Sequence, residues 1–161
     1  MEKKNIDWGN IGFGYVQTDY RYVSTYKDGQ WDEGGLTTDA NIVMNECACV
    51  LQYAQTCFEG MKAYTTEDGK IVCFRPDLNA ARMVESAQRL KMPAFPEEKF
   101  LEAIKQTVKA NAAWVPPTAP ALPCICVLSC LAGTPSSVSS PPTSISSVSS
   151  LPPLVPTSRA A

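Results

Sequence analysis

Histidine is absent from all 161 residues, and no apolar run is long enough to cross a bilayer. The first absence removes the imidazole ligands on which most zinc sites draw. The cysteines do not make up for it: Cys124-Ile125-Cys126 with Cys130, and Cys47 with Cys49, fall at no familiar zinc spacing, so no metal site is expected. The N-terminus, Met1-Glu2-Lys3-Lys4-Asn5-Ile6-Asp7, mixes charge signs and lacks the apolar core of a signal peptide. An excess of one charge is also missing. A net charge of −2 provides no field to attract nucleic acid or an anionic membrane, and neither is expected as a partner. Seven cysteines without secretory context read as free thiols in a reducing compartment, which points to the cytoplasm.

A second set of absences is local. Residues 118–161 contain no Asp, Glu, Lys, Asn, Gln or aromatic side chain, and Arg159 is their only charge. All sixteen acidic residues, and all but one of the fourteen basic ones, lie before Pro117. Ser and Pro dominate the remainder, as in Ser136-Ser137-Val138-Ser139-Ser140-Pro141-Pro142. Such a stretch buries too little apolar surface to offset an ordering cost of roughly 1–2 kcal/mol per residue. The reading is one folded domain over 1–117 and a Ser/Pro-rich, largely disordered tail over 118–161.

Residues 1–117 read as a mixed α/β (α+β) domain. Phe13 to Tyr26 alternates and is rich in Tyr, Val and Thr, and Asp28-Gly29 comes next as a turn, which together predict an early hairpin. Met61–Tyr64 and Ile71–Phe74 flank a second turn at Asp68-Gly69. Pro76-Asp77 opens a helix that Asp77 can cap, with Leu78, Ala81, Ala87 and Leu90 inward. A further helix runs from Pro96-Glu97 to about Ala110, with Phe100, Leu101, Ile104 and Val108 inward, and ends before Pro116-Pro117.

The most informative stretch is Leu51-Gln52-Tyr53-Ala54-Gln55-Thr56-Cys57-Phe58-Glu59-Gly60-Met61-Lys62-Ala63-Tyr64. Cys73-Phe74-Arg75-Pro76-Asp77-Leu78-Asn79-Ala80-Ala81-Arg82-Met83 and Leu90-Lys91-Met92-Pro93 come after it. Phe13–Tyr20, with Gly14 and Thr18-Asp19, precedes it, and Trp114-Val115-Pro116 closes the set. In this order and spacing the segments resemble the branched-chain amino-acid aminotransferases, pyridoxal-phosphate enzymes of fold type IV, over roughly residues 11–117. A D-amino-acid transaminase or a lyase of the same fold type fits less well, because those relatives generally lack the Phe13–Asp19 type of extension.

The resemblance assigns roles. Arg82 matches the ligand of the cofactor phosphate, where a planar guanidinium makes paired, charge-assisted bonds. Taken alone, Arg82 reads equally as a solvated helix arginine. Tyr53 and Phe58 match residues that line the substrate side-chain pocket; taken alone, they would suit a core. Glu59-Gly60 reads as structural, with Gly60 permitting a backbone turn. The implied activity moves an amino group between Leu, Ile or Val and 2-oxoglutarate, a step of branched-chain amino-acid biosynthesis, and the family is homodimeric.

In that family a lysine carries the cofactor as a Schiff base and later moves the α-proton, while a glutamate partners the pyridine nitrogen. A buried lysine can do both jobs because its pKa falls towards neutrality. Both groups lie in the larger C-terminal domain, and no lysine between Lys3 and Lys109 sits in a segment resembling that site. This chain is therefore expected to be inactive by itself. The alternative reading is a non-catalytic, truncated domain that pairs with full-length subunits.

The tail fits one explanation. Suitable codons for Thr118 to Val127, with one T placed in front and regrouped, spell Tyr-Gly-Thr-Gly-Ala-Thr-Leu-Tyr-Met-Arg, the family motif expected after Pro117. Codons for Val155 to Ala160, regrouped in the same frame, spell Gly-Pro-Tyr-Phe-Lys-Gly, another family-like run. The tail reads as a one-base frameshift.

Overall fold

The computed structural model describes residues 3–5, 17–117, 124–133 and 144–151, with residues 124–125 and 144–151 as backbone only. Gly14, in the segment that opens the family-like set, lies outside them. Of the alternation read over Phe13 to Tyr26, residues 13–16 lie outside the described ones, 17–20 are not strand, and the rest forms β1 (Arg21–Lys27), in which Tyr22 and Ser24 point inward. Asp28 and Gly29 take left-handed φ values of 52° and 86° and return the chain into β2 (Gln30–Trp31). These mirror-image turn angles match the twist of a two-residue hairpin. β3 (Gly35–Thr37) pairs antiparallel with the first half of β1. It is preceded by Gly34 at φ 65°, where a Cβ would collide with the Tyr22 ring hydroxyl.

A short helix, α1 (Cys49–Tyr53), ends at Ala54 in a left-handed conformation and leads into β4 (Thr56–Thr65). The turn expected at Gly60 does not occur: Gly60 lies within β4, paired with Val127, where strand pairing holds the backbone extended. β4 instead turns at Gly69 (φ 77°) into β5 (Ile71–Cys73), as the second hairpin reading expected. Two helices come next, α2 (Pro76–Arg89) and α3 (Glu97–Ala110). Pro76 stands at the start of α2, where its fixed φ suits a first turn. Asp77 does not cap that helix: its carboxylate pairs with Arg75, accepting from Nε at 2.9 Å and from Nη2 at 2.7 Å.

The inward face of α2 also differs from expectation. Asn79, Ala80, Met83 and Ala87 are buried, while Leu78, Ala81 and Leu90 are exposed. The stripe 80–83–87 follows the helical repeat, and its alanines let the helix lie close to the sheet. In α3, Phe100 and Ile104 face inward as expected, together with Ala103 and Thr107. Leu101 is exposed and Val108 only partly buried.

Two stretches of 118–161, the part read as a largely disordered tail, lie among the described residues. Cys124–Ala132 is a strand, β6, and Ser144–Leu151 is another, β7. Strand order among the described residues is β2-β1-β7-β6-β4-β5, with β3 on β1, and every pairing is antiparallel. β6 pairs with β4 over eight residues, from Thr56↔Leu131 to Ala63↔Cys124. The physical reason is a period of two: Cys126, Leu128, Cys130 and Ala132 are all buried. They join Cys57, Met61 and Ala63 of β4 beneath α2 and α3 in one core.

Candidate functional site

Strand alternation divides β4 into two working faces. Cys57, Met61 and Ala63 point toward the helices, and Glu59 lies on that side with them. Phe58, Lys62 and Tyr64 point to the opposite, open side. Every site residue expected from the sequence lies on β4 or on an element next to it.

Arg82 stands on the exposed flank of α2 and reaches back to β4. Its Nε donates to Glu59 Oε1 at 3.1 Å and its Nη2 to Glu59 Oε2 at 2.7 Å, a fork meeting a fork. The Glu59 side chain is only 13% exposed, against 55% for Arg82. Asn79, buried one turn earlier on α2, also holds Glu59. Its Nδ2 donates to Glu59 Oε2 at 2.8 Å and to the Gly60 carbonyl at 3.1 Å. The hydrogen bonds to Glu59, and after them its charge, raise the guanidinium pKa above its ordinary value.

A guanidinium carries five N–H donors in a plane. Glu59 occupies the edge made by Nε and Nη2, so three donors remain on Nη1 and on the outer side of Nη2. Among the described residues, no other hydrogen bond or ion pair uses them. A cation held at one edge and open to solvent at the other fits an anionic oxygen cluster such as a phosphate. The sequence reading gives the glutamate that organises this arm a structural role only. A Glu at position 59 and an Arg at position 82 share no local pattern, because the strand and helix between them bring the two together.

Tyr53 and Phe58 are placed differently. Tyr53, the last residue of α1, is 81% exposed, and Phe58 is 71% exposed on the open face of β4. Neither is a core residue. Phe58 faces away from the side where Glu59 and Arg82 meet, so the Arg82–Glu59 pair and the Phe58 ring lie on opposite faces of β4. Tyr64 of β4 and Val72 of β5 are also exposed, so this part of the sheet offers apolar surface. A groove of about 540 Å³ between β5 and α3 includes none of Arg82, Tyr53 and Phe58.

Four of the described cysteines pack as core residues, while Cys73 is half-buried and Cys47 exposed. Cys49, Cys57, Cys126 and Cys130 are buried and form no disulfide. The Cys57 thiol pKa is pushed up, first by its hydrogen bond with Cys130 and then by burial. Its Sγ also lies 3.5 Å from Met83 Sδ. A protonated thiol among apolar neighbours is a poor nucleophile.

No family model matches the chain. Individual proteins do. Over 114 residues it is 52% identical to the branched-chain-amino-acid aminotransferase of Haemophilus influenzae, covering 71% of this chain and 33% of that one. A methionine aminotransferase of Arabidopsis thaliana is 46% identical over 114 residues, covering 70% of this chain and 32% of its own. The chain thus spans about a third of the length of these curated relatives. Among solved structures, the branched-chain aminotransferase of Thermoproteus uzoniensis with norvaline superposes with a TM-score of 0.62. That match is 17% identical and covers 84% of this chain and 41% of the other. It shows a shared fold, the mixed α/β arrangement of the fold-type IV aminotransferases.

Proposed function

We propose that this chain, similar to branched-chain aminotransferases over about a third of their length, forms the amino-terminal small domain of such an enzyme and supplies the arm that holds the cofactor phosphate. One observation carries the reading. Within the stretch of 52% identity, Arg82 is clamped at one edge by Glu59 and leaves its other donors open. Arg82 would bind the phosphate of pyridoxal 5′-phosphate, and Glu59 and Asn79 would fix the direction of that bond. When bound, the cofactor supplies the electron-withdrawing ring through which an amino group passes from an amino acid to a 2-oxo acid.

Tyr53 and Phe58 contribute apolar surface to the substrate side. Exposed aromatic rings of this kind favour Leu, Ile or Val by burial once further walls close over them. Those walls belong to the part of the relatives' length this chain does not span, and to a second subunit of a homodimer. The same holds for the lysine that carries the cofactor. The chain alone is therefore without transaminase activity toward leucine and 2-oxoglutarate. A second reading, a non-catalytic domain that docks on full-length subunits, draws on the apolar surface left open by Phe58, Tyr64 and Val72.

The test compares the affinity of the chain for pyridoxal 5′-phosphate and for pyridoxal, which lacks the phosphate. Wild type should prefer the phosphorylated form. Charge-assisted hydrogen bonds are worth about 1.5–3 kcal/mol, so Arg82→Ala should reduce that preference by roughly ten-fold or more. Arg82→Lys should restore part of it, because an ammonium binds as a point charge without the fork. Equal affinity for the two compounds in wild type, or an unchanged preference in Arg82→Ala, contradicts the phosphate role.

A further inference from the structure

We infer that Glu59 is a positioning residue for anion capture by Arg82: it sets the plane of the guanidinium and aims the unused edge, without touching the ligand itself. The inference rests on the phosphate reading of Arg82 given above and adds to it a residue that the sequence left without a chemical role.

Three features support it. First, the two bonds from Arg82 to Glu59 fix the guanidinium plane, since a side chain held at both Nε and Nη2 can no longer rotate about its last torsions. Secondly, the clamp is itself anchored. Glu59 stands on a strand paired to β6 along most of its length and to β5 at its end, and its side chain is mostly buried. Asn79 donates to the same Glu59 oxygen that receives Nη2 and ties the group to the Gly60 carbonyl. Thirdly, the Arg82 side chain is more than half exposed. An arginine without the clamp would sample many rotamers there and lose that freedom on binding. Holding it beforehand removes this cost from the binding step.

The opposing effect is charge. Glu59 is an anion beside an anion-binding group, and its removal would relieve repulsion. Two considerations favour orientation over charge. The guanidinium stands between the carboxylate and its free edge, so an anion on that edge meets the cation first. The free edge is also in solvent, where water and salt weaken the longer-range repulsion. Removing Glu59 is therefore expected to weaken anion binding.

The experiment uses the whole chain and the same pair of probes, pyridoxal 5′-phosphate and pyridoxal, with two variants of Glu59. Glu59→Gln keeps the length and removes the charge. Glu59→Asp keeps the charge and withdraws the carboxylate by one methylene, out of fork distance. Both should lower the preference for the phosphorylated compound by about five- to ten-fold. Combined with Arg82→Ala, neither should lower it further. A spectroscopic readout separates positioning from general support of the fold. The Arg82 Nε–H resonance should be sharp and slow to exchange in wild type and broadened in both variants, while the backbone amide spectrum is retained. If Glu59→Gln fails to fold, Glu59→Asp carries the test alone. An unchanged or greater preference in a folded variant overturns the positioning role. If Arg82→Ala also leaves the preference unchanged, the phosphate reading falls with it. If Arg82→Ala abolishes the preference and the Glu59 variants keep it, only the positioning role is lost.

Discussion

Thr107 is fully buried on the inner face of α3, and its Oγ1 has no hydrogen-bond partner among the described residues. A buried hydroxyl without a partner carries its desolvation penalty uncompensated, about 1–3 kcal/mol. Thr107→Val keeps the shape and β-branching and removes the polar atom. It should raise unfolding stability by about 1 kcal/mol, read as a higher urea midpoint at unchanged slope. A lower midpoint would show that the hydroxyl is satisfied in solution. At this scale the role proposed for Arg82 is suggested by the sequence, and the one proposed for Glu59 is not. Arg82 follows the Phe-Arg-Pro-x-x-Asn frame of Phe74–Asn79 by three residues, a spacing that can be read along the chain. Glu59 takes its role from a partner on another element, Arg82, and from Asn79 beside it. Tyr53 and Phe58 show the converse: composition suits them to a core, and only their placement on α1 and on the open face of β4 shows them exposed.

Elements with local signals are the legible ones. Both hairpins turn where Asp-Gly pairs stand, at Asp28-Gly29 and Asp68-Gly69, because positive φ is encoded by residue type. α2 and α3 begin at Pro76 and Glu97 for the same kind of reason. The inward face of α2 is not legible in this way, because large apolar side chains mask the alanines that permit close packing. β6 disappears when the composition of 118–161 is averaged over the whole stretch. Within it, Cys124–Ala132 is apolar at every position but Ser129, and burial alternates with period two from Cys126 to Ala132. A strand flanked on both sides by partners should hold its amides tightly. Hydrogen exchange should therefore show residues 126–131 protected to a degree comparable with β4. Exchange of those amides at the rate of a free peptide would contradict the sheet order.

Among the described residues, a helix pair covers one face of an antiparallel sheet, and Phe58, Tyr64 and Val72 are exposed on the other face of β4 and β5. That architecture is legible as a mixed α/β domain. The contribution of β6 and β7 to the sheet is not, since their pairing with β4 and β1 is set by contacts far apart in the chain. We also propose that the coding frame shifts near Thr118. Sequencing of the gene should show that one added nucleotide there opens a long frame beginning Tyr-Gly-Thr-Gly-Ala-Thr-Leu-Tyr, and a stop within a few codons would refute it.

As proposed, the chain holds the phosphate side of a transaminase site, while the lysine that carries the cofactor lies in sequence it does not contain. The direct measurement is the intact mass of the 161-residue chain after borohydride reduction with pyridoxal 5′-phosphate, followed by peptide mapping. Reduction fixes any lysine imine that is present. The expected result is scattered, substoichiometric labelling spread over several exposed lysines. One cofactor per chain on a single lysine, with turnover of leucine and 2-oxoglutarate by the same preparation, would contradict it.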